Sequence, residues 1–162
     1  MRRSAALLVA LAIQPCLAES YGIREDEPHV GSSIRRNVVS WYIPLDRRWD
    51  EMTEEQKTSV KNFYEKIEPG DEPPFPAEGM RPVMDLVRKA QAKLLINEDV
   101  NIVVTVGIAG DVLTVKAVGT PDPDMTKFLA GVMYRTKFKP AVCGGKPCQM
   151  DFPFHFAFKI RD

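Results

Sequence analysis

The stretch "QMDFPFHFAFKI", residues 149–160, decides the fold class. From Met150 onward every second residue is large and apolar: Met150, Phe152, Phe154, Phe156, Phe158 and Ile160. Asp151, Pro153, His155, Ala157 and Lys159 stand between them. Successive side chains of a strand point to opposite faces, so a strict period of two describes a strand buried on one side. Phe152, Phe154, Phe156 and Phe158 are therefore read as core, ahead of an aromatic platform for a ligand. Pro153 has no N–H, which places it on an edge strand with that position turned outward, or at a bulge. Gln149, Asp151, Pro153, His155, Ala157 and Lys159 then mark a rim to which another chain can add a strand. Asp151, Pro153 and Lys159 equally suit a rim blunted against such pairing. The sequence leaves both readings open.

Working back along the chain, "VNIVVTVGIAGDVLTVKAVG" (100–119) reads as a hairpin. Val100, Ile102, Val104 and Val106 alternate along its first strand, residues 112–118 form the second, and Ala109-Gly110-Asp111 makes the turn. Residues 83–95 read as an amphipathic helix with Val83, Leu86, Val87, Ala90 and Leu94 on one side and Arg88, Lys89 and Lys93 on the other. A further helix carries Met125, Phe128, Leu129, Val132 and Met133 at helical spacing, with Asp122 or Asp124 as its cap and Pro140 as its stop. The order helix, strand, strand, helix, strand predicts an α+β fold. Its form is a two-layer sandwich, a three-stranded antiparallel sheet (β-β-α-β) with helices on one face.

Upstream, Thr53 with Gln56 three residues later forms a capping box. Val60, Phe63, Tyr64 and Ile67 make one apolar stripe on a helix that Pro69-Gly70 should stop. Residues 68–82, "EPGDEPPFPAEGMRP", hold five prolines and four acidic side chains. Such composition suits a stiff spacer; the alternatives are an extended segment laid on the domain, anchored by Phe75, or a docking motif. Residues 19–79 carry 14 acidic and 8 basic side chains, a net of −6, and residues 80–162 carry 8 and 12, a net of +4. That balance gives no case for nucleic acid.

The start, "MRRSAALLVALAIQPCLAES", reads as a secretory signal with Arg2 and Arg3, a short apolar run over 5–13, and cleavage between Ala18 and Glu19. The run is shorter than the about 20 residues needed to span a bilayer. An uncleaved anchor or a lipid-modified Cys16 are the rival readings. Cleavage leaves Cys143 and Cys148, an even pair in an exported chain, which is read as a disulfide. A metal site lacks further ligands beyond His29, His155 and carboxylates, and a redox dithiol usually has two residues between its sulfurs. The expected organisation is a signal peptide (1–18), a flexible leader (19–40), a helical extension (41–67), a linker (68–82) and a domain (83–162).

The hairpin, the helix "PDMTKFLAGVMYRTKFKPA" with its Phe138-Lys139-Pro140-Ala141 exit, and the alternating end "PCQMDFPFHFAFKI" together resemble the TonB C-terminal domain family. The resemblance covers roughly residues 100–160 and rests on structural motifs. It implies a periplasmic, protein-binding module that takes up segments of outer-membrane transporters beside its final strand. The chain departs from full energy transducers in its short apolar start and its short proline-rich span. The resulting expectation is an exported periplasmic adaptor serving transport, with an envelope protein as partner, no membrane span, no metal and no cofactor. An edge-to-edge homodimer is a further option. A membrane-anchored energy transducer is the alternative, and a thiol oxidoreductase using Cys143 and Cys148 is the second. No enzyme is expected, because no catalytic constellation of recognisable context is present.

Overall fold

The computed structural model describes Ile34, residues 43–119 and residues 122–160. The expected signal peptide with its Ala18-Glu19 cleavage point, and all of the leader except Ile34, lie outside the described residues. The described residues form a mixed α+β fold of three helices and small antiparallel sheets. A 3-10 turn at Trp49–Glu51 leads to α1 (Glu54–Lys61), β1 (Phe75–Pro76) and α2 (Arg81–Leu94). Then follow β2 (Asp99–Val106), β3 (Val112–Val118), α3 (Pro123–Arg135) and β4 (Phe138–Lys139). A tight hairpin of β5 (Ala141–Cys143) and β6 (Lys146–Cys148) precedes β7 (Met150–Ala157).

The main sheet has the order β3-β2-β7, is antiparallel throughout, and packs against α3, which in turn packs on α2. The alternation expected of the last strand holds: Phe152, Phe154, Phe156 and Phe158 are buried, as are Val100, Ile102, Val104 and Val106 opposite. The strand stops at Ala157, however, and Ile160 is 50% exposed. Leu86 and Leu94, expected on the buried stripe of α2, are also exposed, which leaves Val83, Val87 and Ala90 as its core face.

Local signals set the helix starts. Thr53 Oγ1 accepts from the Gln56 N–H at 3.3 Å, and Gln56 Oε1 accepts from the Thr53 N–H at 3.0 Å. Asp122 caps α3 by accepting from the Met125 N–H at 2.7 Å. The stops differ from expectation. The first helix ends at Lys61, not near Pro69, because Phe63 and Tyr64 bond the carbonyls three residues back, at 3.1 Å each, and turn into the core. The third helix ends at Arg135, ahead of Pro140, because Phe138 and Lys139 are drawn into pairing with Pro76 and Phe75.

That pairing corrects the spacer reading of residues 68–82. Pro73, Pro74, Phe75 and Pro76 are buried, and the segment lies as an extended strand along residues 137–142. Glu72 and Val142 exchange both backbone hydrogen bonds at 2.9 Å, and the Ala77 N–H donates to Lys137 O at 2.9 Å. Proline suits this role, since its ring fixes an extended-compatible φ and it brings no donor into the core that needs a partner. Lys139 Nζ sits 2.9 Å from the Glu72 carboxylate, 3.4 Å from Pro73 O and 5.3 Å from the centre of the Trp49 ring. Pro82 falls in the first turn of α2, where a missing N–H is harmless. Trp49, Met52, Val60, Phe63, Tyr64 and Phe75 share one core cluster with the helices and the main sheet.

Cys143 and Cys148 are joined, with Cα atoms 5.8 Å apart, across a turn in which Gly144 and Gly145 both have positive φ. The hairpin is fixed to the proline-rich strand as well, since the Gly144 N–H donates to Asp71 Oδ1 at 2.8 Å. Gly110, in the β2–β3 turn, has φ +82°; its N–H donates to Gly107 O at 3.0 Å, and its carbonyl accepts from the Phe138 N–H at 2.9 Å. A Cβ there would fall 2.0 Å from Phe138 O, so only glycine fits.

Phe75→Ala is expected to cost about 3–5 kcal/mol, the range for truncating a core phenylalanine, when measured by urea unfolding; a mere spacer would show almost no loss. Burial works to raise the Glu72 carboxyl, but the hydrogen bond and charge of Lys139 overcome it and hold the group below its ordinary value. A depressed carboxyl stabilises the fold above its ordinary titration range, and that contribution is lost as pH falls through the lowered value. The stability gap between wild type and Glu72→Gln should therefore close between neutral pH and about pH 3.

Candidate functional site

The outer edge of β7 carries the candidate site. Its geometry follows from one hydrogen bond, that of the Phe158 N–H to Glu98 O at 3.0 Å. In an antiparallel ladder, residues that bond their neighbour alternate with residues that face away. Phe156, Phe154 and Phe152 therefore direct their backbone groups to Val100, Ile102 and Val104 of β2, their register partners. Asp151, Pro153, His155 and Ala157 direct theirs outward. Pro153 thus lacks an N–H at a position where none is needed for the sheet. Gln149 and Lys159 flank the strand and are exposed.

The outward row is not uniform. The Tyr64 hydroxyl donates to Asp151 O at 2.7 Å and occupies that carbonyl. Tyr64 itself forms an antiparallel bridge with Ile34. Burial pushes the Tyr64 hydroxyl well above the ordinary phenol range, and the Asp151 carboxylate pushes it further. Among the described residues, the backbone from Pro153 to Ala157 meets no such neighbour: His155 and Ala157 each offer a donor and an acceptor, and Pro153 an acceptor alone.

Side chains of the same residues line the sheet face away from the core. Thr114 Oγ1 donates to Thr105 Oγ1, and Thr105 Oγ1 to Asp151 Oδ1, each at 2.7 Å, a polar ladder across all three strands. His155 Nδ1 lies 2.7 Å from Asn101 Oδ1, and its Nε2 lies 3.9 Å from the Asp99 carboxylate. These contacts orient the imidazole from β2 and leave its ring exposed. Cys143 and Cys148 sit on the separate β5–β6 hairpin and are not part of this edge.

Among the described residues no group of histidine, cysteine, aspartate and glutamate is placed to hold a metal ion. No described helix is long and apolar enough to cross a membrane. Sequence reasoning placed the edge residues but missed Tyr64, Asn101 and Thr105. Tyr64 was legible as part of an apolar stripe, but its hydroxyl partner is 87 residues away. Asn101 and Thr105 stand opposite His155 and Asp151 only once the β2–β7 register is known. No protein-family model and no curated protein matches this chain.

Tyr64→Phe should lower stability by about 0.5–1.5 kcal/mol, the usual net worth of one hydrogen bond. A raised hydroxyl pKa stabilises the fold fully below the ordinary phenol value and is lost as pH rises above it. Wild type is thus expected to lose stability above about pH 10 more steeply than Tyr64→Phe does, as read from urea midpoints along an alkaline series.

Proposed function

We propose that the protein is an exported protein-binding adaptor whose sheet and α3 follow the TonB C-terminal domain pattern. It engages an extended segment of an envelope protein along the outer edge of β7. The observation that carries this reading is the position of β7 at the end of the order β3-β2-β7, with the outward backbone groups of Pro153, His155 and Ala157 meeting no strand among the described residues. Strand addition draws its affinity from main-chain hydrogen bonds and its specificity from alternate side chains. Here the bonding positions are His155 and Ala157, and the side chains beside them are His155, Asn101 and Asp99. The family pattern supports a partner among outer-membrane transporter segments, and the signal-like start supports a periplasmic setting.

The strand helix strand order supports the same reading. In it the hairpin supplies the inner strand β2, α3 crosses over the sheet, and the chain returns beside β2 as the rim. The disulfide belongs to the reading as a staple of the neighbouring hairpin. It keeps the turn that leads into β7 in one shape, worth about 2 kcal/mol for so short a loop.

The test is crosslinking in living cells from a photoreactive residue at Ala157, in three backgrounds. Wild type and His155→Ala keep the backbone donor at 155 and should give the same envelope-protein adduct. His155→Pro removes that donor without touching the β2 ladder and should lose the adduct while remaining folded. Equal adduct in all three, or none in wild type, would defeat the proposal.

A further inference from the structure

Leu95 closes α2 in a conformation that leucine rarely takes. It has φ +50° and ψ +42°, the left-handed region in which glycine or asparagine ordinarily ends a helix. Among the described residues it is the one non-glycine with positive φ. A Cβ in that region carries a steric cost, and burial does not offset it, because Leu95 is 60% exposed. The turn is not loose either. The Leu95 N–H donates to Gln91 O at 2.9 Å, and Gln91 Nε2 donates to Ile96 O at 2.7 Å, so the backbone around the leucine is held in one shape. Strain kept at an exposed position points to a role outside the fold.

The neighbours of Leu95 share its exposure. Leu94 is 37% exposed and Leu86 43%. Leu86, Lys89 and Lys93 stand at i, i+3 and i+7, on one side of the helix, and all three are exposed. The charge of α2 is one-sided. Its single acidic residue, Asp85, is paired with Arg88, and Arg81 reaches Asp46 at 3.6 Å. Lys89 and Lys93 have no ion-pair partner among the described residues. The acidic groups that follow the helix are engaged elsewhere: Glu98 accepts from the Asp122 N–H, and Asp99 lies 3.9 Å from His155 Nε2. What α2 shows to its surroundings is therefore aliphatic and positive.

We infer that this side of α2 rests on an anionic lipid bilayer. Leu86, Leu94 and Leu95 enter the boundary between headgroups and acyl chains, and Lys89 and Lys93 extend their ammonium groups to lipid phosphates. A helix face has no free backbone edge, so its occupant is selected by aliphatic contact and positive charge alone. A lipid surface supplies both across a plane and needs no matching groove. Each lysine gains from the negative surface potential, and the leucines gain from leaving water. The contact shares no residue with β7, so it stands or falls separately from the adaptor reading.

Co-sedimentation of the purified protein with vesicles tests this. Wild type should bind vesicles of phosphatidylglycerol and phosphatidylcholine in equal parts, and bind pure phosphatidylcholine far less. Salt at about 1 M, where the screening length is about 3 Å, should release it. Leu95→Gly should weaken binding about tenfold, the worth of one inserted leucine. Its melting temperature should hold or rise, since glycine suits the left-handed position, which separates lost insertion from lost folding. Lys89→Glu with Lys93→Glu should weaken binding at least about thirtyfold. No binding to the anionic vesicles, or equal binding to both kinds, overturns the assignment. So does binding that Leu95→Gly or the lysine pair leaves unchanged, because such a contact uses another face. The acidic peptide 19–33, with four acidic residues and one basic, is the control occupant. If it shifts the amide signals of Leu94 and Leu95 and vesicles do not, the face belongs to the chain's own leader and the lipid assignment falls.

Discussion

The wholly buried ring of Phe152 meets Phe63 from the end of α1, Phe75 from β1, Phe138 from β4 and Phe154 from its own strand, at centroid separations of 6.2, 6.0, 6.1 and 5.0 Å. These rings come from the turn after α1, from the paired strands β1 and β4, and from β7 itself. Aromatic pairs in edge-on or tilted arrangements contribute about 0.5–1.5 kcal/mol each beyond the area they bury. Phe152 thereby ties the turn after α1, the proline-rich segment and β4 to the main sheet. The rest of the row, Phe154, Phe156 and Phe158, stacks along β7 with neighbouring rings 5.8 and 6.1 Å apart. β7 is thus a rim strand by hydrogen bonding and a central one by packing.

The contrast between its two sides accounts for the placement of proline in the molecule. Pro153 faces outward on β7, and Pro147 lies on β6, opposite a Val142 whose own hydrogen bonds go to Glu72. Each occupies a position whose donor the ladder does not require. Pro76 lies on β1, and Pro73 and Pro74 lie between it and Glu72, beside residues 137–142. A proline in such a register costs the sheet nothing and removes one handle from a passing chain. On β7 that leaves a pairing stretch of five residues, bounded at one end by Tyr64.

The features legible in the sequence were those with a short repeat or a local partner. The Phe152-to-Phe158 row needs only period two, the Thr53–Gln56 box spans three residues, and the Cys143–Cys148 pair spans five. The edge position of β7 followed from a single proline. The features that were not legible depend on partners far away in the chain. Residues 71–77 have the composition of a spacer and are laid against the domain, bridging at Glu72 and pairing as a strand at Phe75–Pro76, because residues 137–142 lie beside them. Phe63 and Tyr64 fit a helical stripe but leave the helix to reach β7. Leu86 and Leu94 fit the apolar side of α2, yet among the described residues both are exposed. Register across β2 and β7, which sets His155 against Asn101, has no local signature at all.

The longest of these attachments join Asp71 to Gly144 and Tyr64 to Asp151, 73 and 87 residues apart. Nothing that emerges from the ribosome before β7 can complete the core, because Phe152 is missing from its centre. A core arranged this way stays open, with loop closure still to be overcome, until β7 is in place. Strand β7 thus acts as the clasp that closes contacts between segments far apart in the chain.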